Sequence, residues 1–173
     1  SDGSTDRTVE LAKSVKDSRL KVINRKTRIG NNAVQNQIIK FAKGDILVLL
    51  DADVLPLDDQ FIEEISRPII NDKNVGLVGA DTQSTIPTTF MESIIAASHE
   101  LKKSLYKKIN NDNIYLCHGR ARAFSKALYS QIQWPKNAPE DAYSYLLCIK
   151  KGLKFAFAPN AKVLFRSPSI LQD

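Results

Sequence analysis

Two aspartates separated by one residue, Asp51 and Asp53, follow directly on the apolar run Ile46-Leu47-Val48-Leu49-Leu50. A run of that length reads as a strand. In an open α/β sheet, ligands collect beyond the carboxyl ends of the strands. Two carboxylates this close repel each other unless a cation intervenes, and hard oxygen ligands suit Mg²⁺ or Mn²⁺, which also bridge phosphate oxygens. The same residues could equally form a solvated turn. A second acidic pair, Glu140-Asp141, follows Pro139 at the start of a predicted helix, where carboxylates cap free N–H groups. From such a boundary Asp141 could also reach a hydroxyl as a general base. Near the amino end, Asp2-Gly3-Ser4-Thr5-Asp6 is a glycine-bearing turn, either a plain Asx turn with a cap or a nucleotide contact.

These side chains need a frame, and the pattern around them alternates short apolar strands with amphipathic helices, which predicts an α/β class with a mostly parallel sheet. A helix carrying Val9, Leu11, Ala12 and Val15 precedes a strand at Leu20 to Ile23. A second helix runs from about Asn32 to Lys43, stopped by Gly44, and the strand Asp45 to Leu50 follows. Pro56 and Asp58-Asp59 open a third helix to about Ile70, and Val75 to Ala80 is the next buried strand. From Thr88 to Ile109 the periodicity predicts a long helix with Phe90, Ile94, Ile95, Leu101 and Leu105 inward and Lys102, Lys103, Lys107 and Lys108 outward. Strand-like Ile114 to Cys117 and Ala121 to Phe124, a helix from Glu140 to Lys151, and strands Lys154 to Ala158 and Ala161 to Phe165 complete the pattern.

The chain has 173 residues, 43% hydrophobic and 25% charged, with 7 Gly and 7 Pro, which fits one folded domain and excludes disordered and collagen-like classes. No run approaches the roughly 18 apolar residues of a membrane span. The excess of 25 Lys and Arg over 19 Asp and Glu, a net charge of +6, favours polyanions without choosing among nucleic acid, phospholipid and nucleotide. No aromatic-interleaved basic stripe appears, so nucleic acid is not expected as a partner. Cys117 and Cys148 lack metal-ligand spacing and read as two buried thiols in a reducing compartment.

Taken together, the motifs and their order resemble the inverting, nucleotide-sugar-dependent glycosyltransferases of family 2, with their GT-A fold. The resemblance is carried by Asp2 to Asp6, by Gly30-Asn31-Asn32-Ala33-Val34-Gln35-Asn36 running to Lys43-Gly44-Asp45, and by Leu50-Asp51-Ala52-Asp53 with Pro56. It continues through Val75-Gly76-Leu77-Val78-Gly79, Gly119 with Ala123 to Leu128, Glu140-Asp141, Lys151-Gly152 and Ala158-Pro159-Asn160-Ala161. It implies a nucleobase contact at Asp2, a principal metal ligand at Asp53, a ribose or metal contact at Asp51 and a catalytic base at Asp141. Gly119 and Glu140 fall at the substrate, and Arg28, Arg120 and Arg122 are phosphate candidates, because a guanidinium pairs bidentately with phosphate, or else solvated surface. His118 borders the acceptor or is core.

The implied reaction is a single displacement that moves a sugar from a nucleoside diphosphate donor, in all expectation UDP-linked, to an acceptor hydroxyl with Mg²⁺ or Mn²⁺ as cofactor. The implied partners are the nucleotide sugar, a carbohydrate or lipid-linked acceptor and a membrane surface, with a cytoplasmic location at the inner face of the membrane. Residues from 1 to about 80 form the nucleotide-sugar half of this reading and about 81 to 173 the acceptor half. Relative to the family, Ser1 stands where an Asp often sits, Asn31 replaces a common lysine, and the first strand and the Gln-x-x-Arg-Trp segment do not occur, so the chain reads as truncated at both ends. Two other readings stand beside it. A haloacid-dehalogenase-type phosphatase would use Asp51 as nucleophile and Asp53 as acid, and a binding module would keep the fold without turnover.

Overall fold

Ten residues, Val75–Ser84 (β3), form the strand around which the larger of two structural units is built, and positions 75 to 82 along it are buried. The computed structural model describes residues 1–109 and 112–168. In it the larger unit comprises 42–132 with the segment from 139 onward, and the smaller comprises 1–41 with 133–138. A strand covered on both faces must be apolar and must let its neighbours come close. The glycines of Val75-Gly76-Leu77-Val78-Gly79 meet the second need: a Cβ at residue 79 would lie 2.5 Å from the Leu116 carbonyl oxygen.

The sheet of this unit holds β1 (Ile46–Leu50), β2 (Val54–Pro56), β3, β4 (Ala121–Ser125) and β5 (Lys154–Phe165) in the order β1-β4-β3-β5-β2. Helices α3 (Phe61–Asn71), α4 (Phe90–Ile109), α5 (Lys126–Tyr129) and α6 (Glu140–Lys150) belong to the same unit. The α/β class is as expected, but the balance of strand directions is not. Only β3 and β5 run parallel, while β1–β4, β3–β4 and β2–β5 are antiparallel. The expectation of a mostly parallel sheet fails because β4 inserts, reversed, between β1 and β3. It fails also because Leu20–Ile23 forms no strand: its ladder reaches only Ser1 and Asp2, through Ser1 N to Ile23 O and Arg25 N to Ser1 O.

Alternation along β3 sends successive side chains to opposite faces. Val78 and Ala80 meet Phe61, Ile65 and Ile69 of α3, together with Ala123 and Val163. Burying each large α3 side chain contributes roughly 1.5–3 kcal/mol. Leu77, on the other pleat, lies opposite Phe124 and Phe155, all three buried. β5 is continuous, with its register jumping from Ala158 to Lys162, so the two expected strands are one strand with a bulge at 159–161. Helix α6 ends in a Schellman motif, with Gly152 at φ +71, Leu153 N bonded to Cys148 O and Gly152 N to Ile149 O.

Other boundaries differ for local reasons. Pro56 lies in β2 opposite Val163, so α3 starts later, at Phe61, after Asp58 Oδ1 accepts Gln60 N–H. Ile114–Leu116 is a 3₁₀ turn instead of a strand, capped by the Asn113 side chain.

The largest correction concerns α4. Phe90 is 81% and Leu101 62% exposed, with Ile94 and Leu105 also exposed, whereas Lys103 is buried. The helix turns this way because the Asp81 carboxylate, buried on β3, requires cations. Lys103 Nζ lies 3.4 Å and Lys107 Nζ 3.3 Å from its Oδ1, and Lys103 also donates to Thr82 O. A capping box opens the helix: Glu92 Oε2 accepts from Thr88 N, Thr88 Oγ1 and Thr89 N, and Glu92 N–H donates to Thr89 Oγ1.

The smaller unit carries α1 (Thr8–Ser14) and α2 (Asn31–Ile39) and, among its described residues, no strand longer than a bridge. Helix α2 ends at Ile39, well before Gly44, which has no positive φ and is not its terminator. Asn36 exchanges two hydrogen bonds with the Trp134 backbone, and Asn32 Nδ2 donates to Pro135 O and Ala138 O. These amides bind the 133–138 segment to α2.

Candidate active site

In the larger unit, the antiparallel pairing of β1 with β4 brings the end of one strand beside the beginning of the other. Leu50 lies opposite Ala121, and Asp51 N–H donates to Arg120 O at 2.9 Å. Asp51 is therefore fixed by the same ladder that delivers Gly119 and Arg120. Burial, then the like charge of Asp53, pushes the Asp51 carboxyl above its ordinary value; Glu140 adds to this and Arg122 and Arg120 oppose it. Asp53 and Glu140 thus act on Asp51 with like charge, and a cation there would relieve the repulsion.

Glu140 and Asp141 open α6, where the helix dipole favours negative charge. A Cβ at residue 119 would lie 2.5 Å from Glu140 Oε1 and 4.0 Å from Asp141 Cβ, so Gly119 runs directly against this acidic turn. Asp141 is half-buried, its Oδ1 accepting Ala142 N–H at 2.7 Å while its carbonyl accepts from Cys117 Sγ at 3.6 Å. Burial raises the Cys117 and Cys148 thiols to about 12, so neither is a thiolate at neutral pH.

Arg122 is fully buried, and Nη1 donates to Glu140 O at 3.0 Å and Ser144 Oγ at 3.1 Å. It cannot meet a phosphate in solution, and the phosphate expectation for it is corrected. Its charge instead lies behind the acidic turn and fixes the first turn of α6. Arg120 covers the Phe165 ring at 3.8 Å. Burial and the neighbouring His99 and Arg120 charges lower His118 to about 4, so it is a neutral imidazole at physiological pH.

In the smaller unit, the Asp2 carboxylate accepts from Ile29 N at 3.0 Å and Gly30 N at 2.8 Å, which holds it below the usual carboxylate range. Asp2, Gly3, Ser4, Arg28 and Asn31 line one pocket of about 400 Å³. Gly3, at φ +77, is required there because a Cβ would lie 3.1 Å from Arg28 N.

Among the described residues, no three His, Cys, Asp or Glu side chains are grouped to enclose a metal ion. Asp51 and Asp53 still fit a hard divalent cation, which is commonly held by one or two carboxylates with the remaining positions left to substrate phosphates and water. Sequence reasoning missed the buried role of Arg122, although an arginine among Ala121, Ala123 and Phe124 in strand alternation was the available signal.

The sequence matches Glycosyl transferase family 2 over residues 1–133. The chain belongs to that family. A search of curated proteins gives no match. Among solved structures, the chain is similar to the mannosyltransferase PcManGT from Pyrobaculum calidifontis in complex with GDP-Man and Mn²⁺. The TM-score is 0.71 at 17% identity, over 99% of this chain and 46% of that one. It is also similar to glucosyl-3-phosphoglycerate synthase from Mycobacterium tuberculosis in complex with Mn²⁺, UDP and phosphoglyceric acid. There the TM-score is 0.61 at 18% identity, over 96% of this chain and 58% of that one. The fold is thus the GT-A α/β architecture, and the chain spans about half the length of these structures. Family membership also removes the phosphatase alternative for Asp51 and Asp53.

Proposed function

We propose that this glycosyltransferase moves a sugar from a UDP-sugar to an acceptor hydroxyl in one displacement with inversion. The observation that carries the reading is the ladder that places Asp51 beside Arg120 and Gly119, with Gly119 against Glu140 and Asp141 and with Asp53 and Glu140 acting on Asp51 by like charge. Asp53 and Asp51 would hold Mn²⁺ or Mg²⁺, and Mn²⁺ in both similar structures supports that choice. Bound there, the cation supplies positive charge to the departing diphosphate. Asp141 accepts the proton of the attacking hydroxyl, and Arg122 keeps the first turn of α6 in place while it does so. Gly119 leaves room for the Glu140 carboxylate beside the substrate. Arg120 is the remaining phosphate candidate of this unit.

Residues 1 to about 80 are read as the nucleotide-sugar half, with Asp2 and Arg28 as nucleotide contacts, and about 81 to 173 as the acceptor half. Asp2 already uses its oxygens on backbone N–H groups, so its part would be to hold the Ile29-Gly30 turn beside the nucleotide. Calorimetry of UDP binding to wild type and Asp53→Asn, in Mn²⁺ and in EDTA, tests the metal reading. Binding that needs both Mn²⁺ and Asp53 supports it, and equal affinity in EDTA refutes it. A binding module without turnover would pass this test and fail a transfer assay.

The reading extends to a membrane surface, and α4 is the element that favours it. No helix among the described residues is long and apolar enough to cross a membrane. Phe90, Ile94, Leu101, Leu105 and Ile109 are nevertheless all exposed along one side of α4, with Lys102 and Lys108 exposed beside them. An apolar stripe with lysines suits the headgroup layer of an anionic bilayer. A cytoplasmic face of the membrane is the location this implies.

A further inference from the structure

Arg122 has no exposed surface, and among the described residues its guanidinium forms no ion pair. Nη1 donates to Glu140 O and Ser144 Oγ, whereas Nε and Nη2, also buried, have no partner. A guanidinium stays charged wherever it is buried, and a buried charge is costly unless something nearby compensates it. Here the compensation has to act through space.

The β1–β4 register shows where it comes from. Leu49 lies opposite Arg122 and Leu50 opposite Ala121, and the bond from Asp51 N–H to Arg120 O carries the pairing one residue further. Residues two apart on a strand share a face, so Asp51 and Arg122 are diagonal neighbours on one pleat, a relation that spans roughly 7–8 Å in sheets generally. No hydrogen bond joins the two side chains. Burial and the Asp53 charge push the Asp51 carboxyl up, and Arg122 is the foremost group drawing it down.

The same field acts on anything bound at Asp51. A divalent cation held by Asp51 and Asp53 would have a fixed guanidinium one diagonal step away. Water does not reach a charge with no exposed surface to screen it, and two hydrogen bonds to α6 keep that charge from withdrawing. Like charges repel, so Arg122 weakens the cation site. A diphosphate reverses the balance, because its oxygens attract the cation and the guanidinium together.

We infer that Arg122 is a positioning residue for charge: from its buried place on β4 it keeps divalent cations weakly held at Asp51 and Asp53 until a nucleoside diphosphate is present. The inference rests on the proposed metal reading of those aspartates and adds to it that the nucleotide-free chain has little affinity for the cation. It is separate from the hold of Arg122 on the first turn of α6, which Ser144 Oγ shares by donating to Glu140 O.

The test is titration of Mn²⁺ into the full chain without nucleotide, with free Mn²⁺ read by electron paramagnetic resonance, beside calorimetry of UDP in Mn²⁺ and in EDTA. Wild type should hold Mn²⁺ alone only in the millimolar range and bind UDP at least about tenfold more tightly in Mn²⁺ than in EDTA. Arg122→Gln and Arg122→Met should each tighten Mn²⁺ alone by about tenfold, as removal of a nearby like charge demands, and Arg122→Lys should stay within about threefold of wild type. Met fills most of the vacated volume without a buried charge, which favours a folded variant. A merely structural arginine gives the opposite sign, since a loosened α6 turn would weaken the site. Micromolar binding of Mn²⁺ alone to wild type, unchanged or weaker binding in the Gln and Met variants, or tightening that survives Asp53→Asn each overturns the inference. Equal UDP affinity in Mn²⁺ and EDTA removes the metal reading itself and this inference with it. Cation-dependent UDP binding without tightening in the variants removes the role of Arg122 alone.

Discussion

Gly119 faces the Glu140 carboxylate so closely that a Cβ at residue 119 would lie 2.5 Å from Oε1. The backbone of Gly119 has no positive φ, so alanine is conformationally acceptable and the contact alone decides its effect. Because a carboxylate at the end of a flexible side chain can swing away, Gly119→Ala should leave the melting temperature nearly unchanged. Turnover should fall, by up to about 10²-fold, as expected when a group beside the reacting centre moves by about 1 Å. Equal loss of stability and activity would instead make Gly119 a packing glycine.

Asp141 and Asp53 separate by kinetics. In the complete protein, Asp141→Asn keeps the side chain's size but cannot take a proton, so transfer should fall by at least about 10²-fold with UDP-sugar affinity nearly intact. Asp53→Asn should weaken donor binding as well, because a metal ligand is lost. Asparagine is itself a good helix cap. Transfer by Asp141→Asn within threefold of wild type would therefore assign Asp141 to capping the start of α6.

Much of this site was legible because strand ends and helix starts are written in local pattern. The run before Asp51, the glycines of β3 and the acidic start of α6 are readable residue by residue, and each is where the sequence places it. What was not legible depends on long-range partners. Nothing local to α4 says that Lys103 must turn inward, because its reason, the buried Asp81, lies 22 positions earlier on another element. The strand expected at Leu20–Ile23 has the right residues, but a strand exists only where a neighbour completes its ladder. The stacked rings of Tyr106 and Tyr115 lie nine residues apart, and no periodicity links them. The capping box Thr89-x-x-Glu92, by contrast, is a local pattern.

His118 makes stability depend on mild acid. Its imidazole titrates near 4 in the folded chain against about 6.5 when unfolded. Between those values the unfolded chain takes up a proton that the folded chain refuses, so stability is fully present above about pH 6.5 and falls as pH drops towards 4. The loss amounts to at most about 3 kcal/mol. His118→Gln should remove most of the slope in urea unfolding between pH 6.5 and 4.5, and an unchanged slope would acquit His118.

Glu92 acts at lower pH and with the opposite charge. Hydrogen bonds from Thr88, with Arg166 adding to them, hold its carboxyl at about 2, against 4.5 for the free group. A depressed carboxyl stabilises above its unfolded value and ceases to do so as pH falls through its folded one. Glu92→Gln should therefore melt several degrees lower than wild type at neutral pH, with the difference shrinking below about pH 4.5 and closing near 2. A gap that persists at pH 2 would assign the loss to packing.

The last test concerns the exposed side of α4. If this stripe enters the headgroup layer, binding to vesicles needs both the apolar residues and the anionic lipid, since buried apolar area and charge attraction act together. The chain carries a net charge of +6, so attraction to acidic lipid alone could produce some binding at low salt. Sedimentation with phosphatidylglycerol and phosphatidylcholine vesicles at physiological salt separates the two. Phe90→Ser with Leu101→Ser replaces two side chains that are 81% and 62% exposed, so the fold should tolerate the change. Their loss should reduce binding to anionic vesicles by at least about tenfold, each buried apolar side chain being worth on the order of 1 kcal/mol or more. Vesicle binding that survives the double substitution, or that ignores lipid charge, would remove α4 from the membrane.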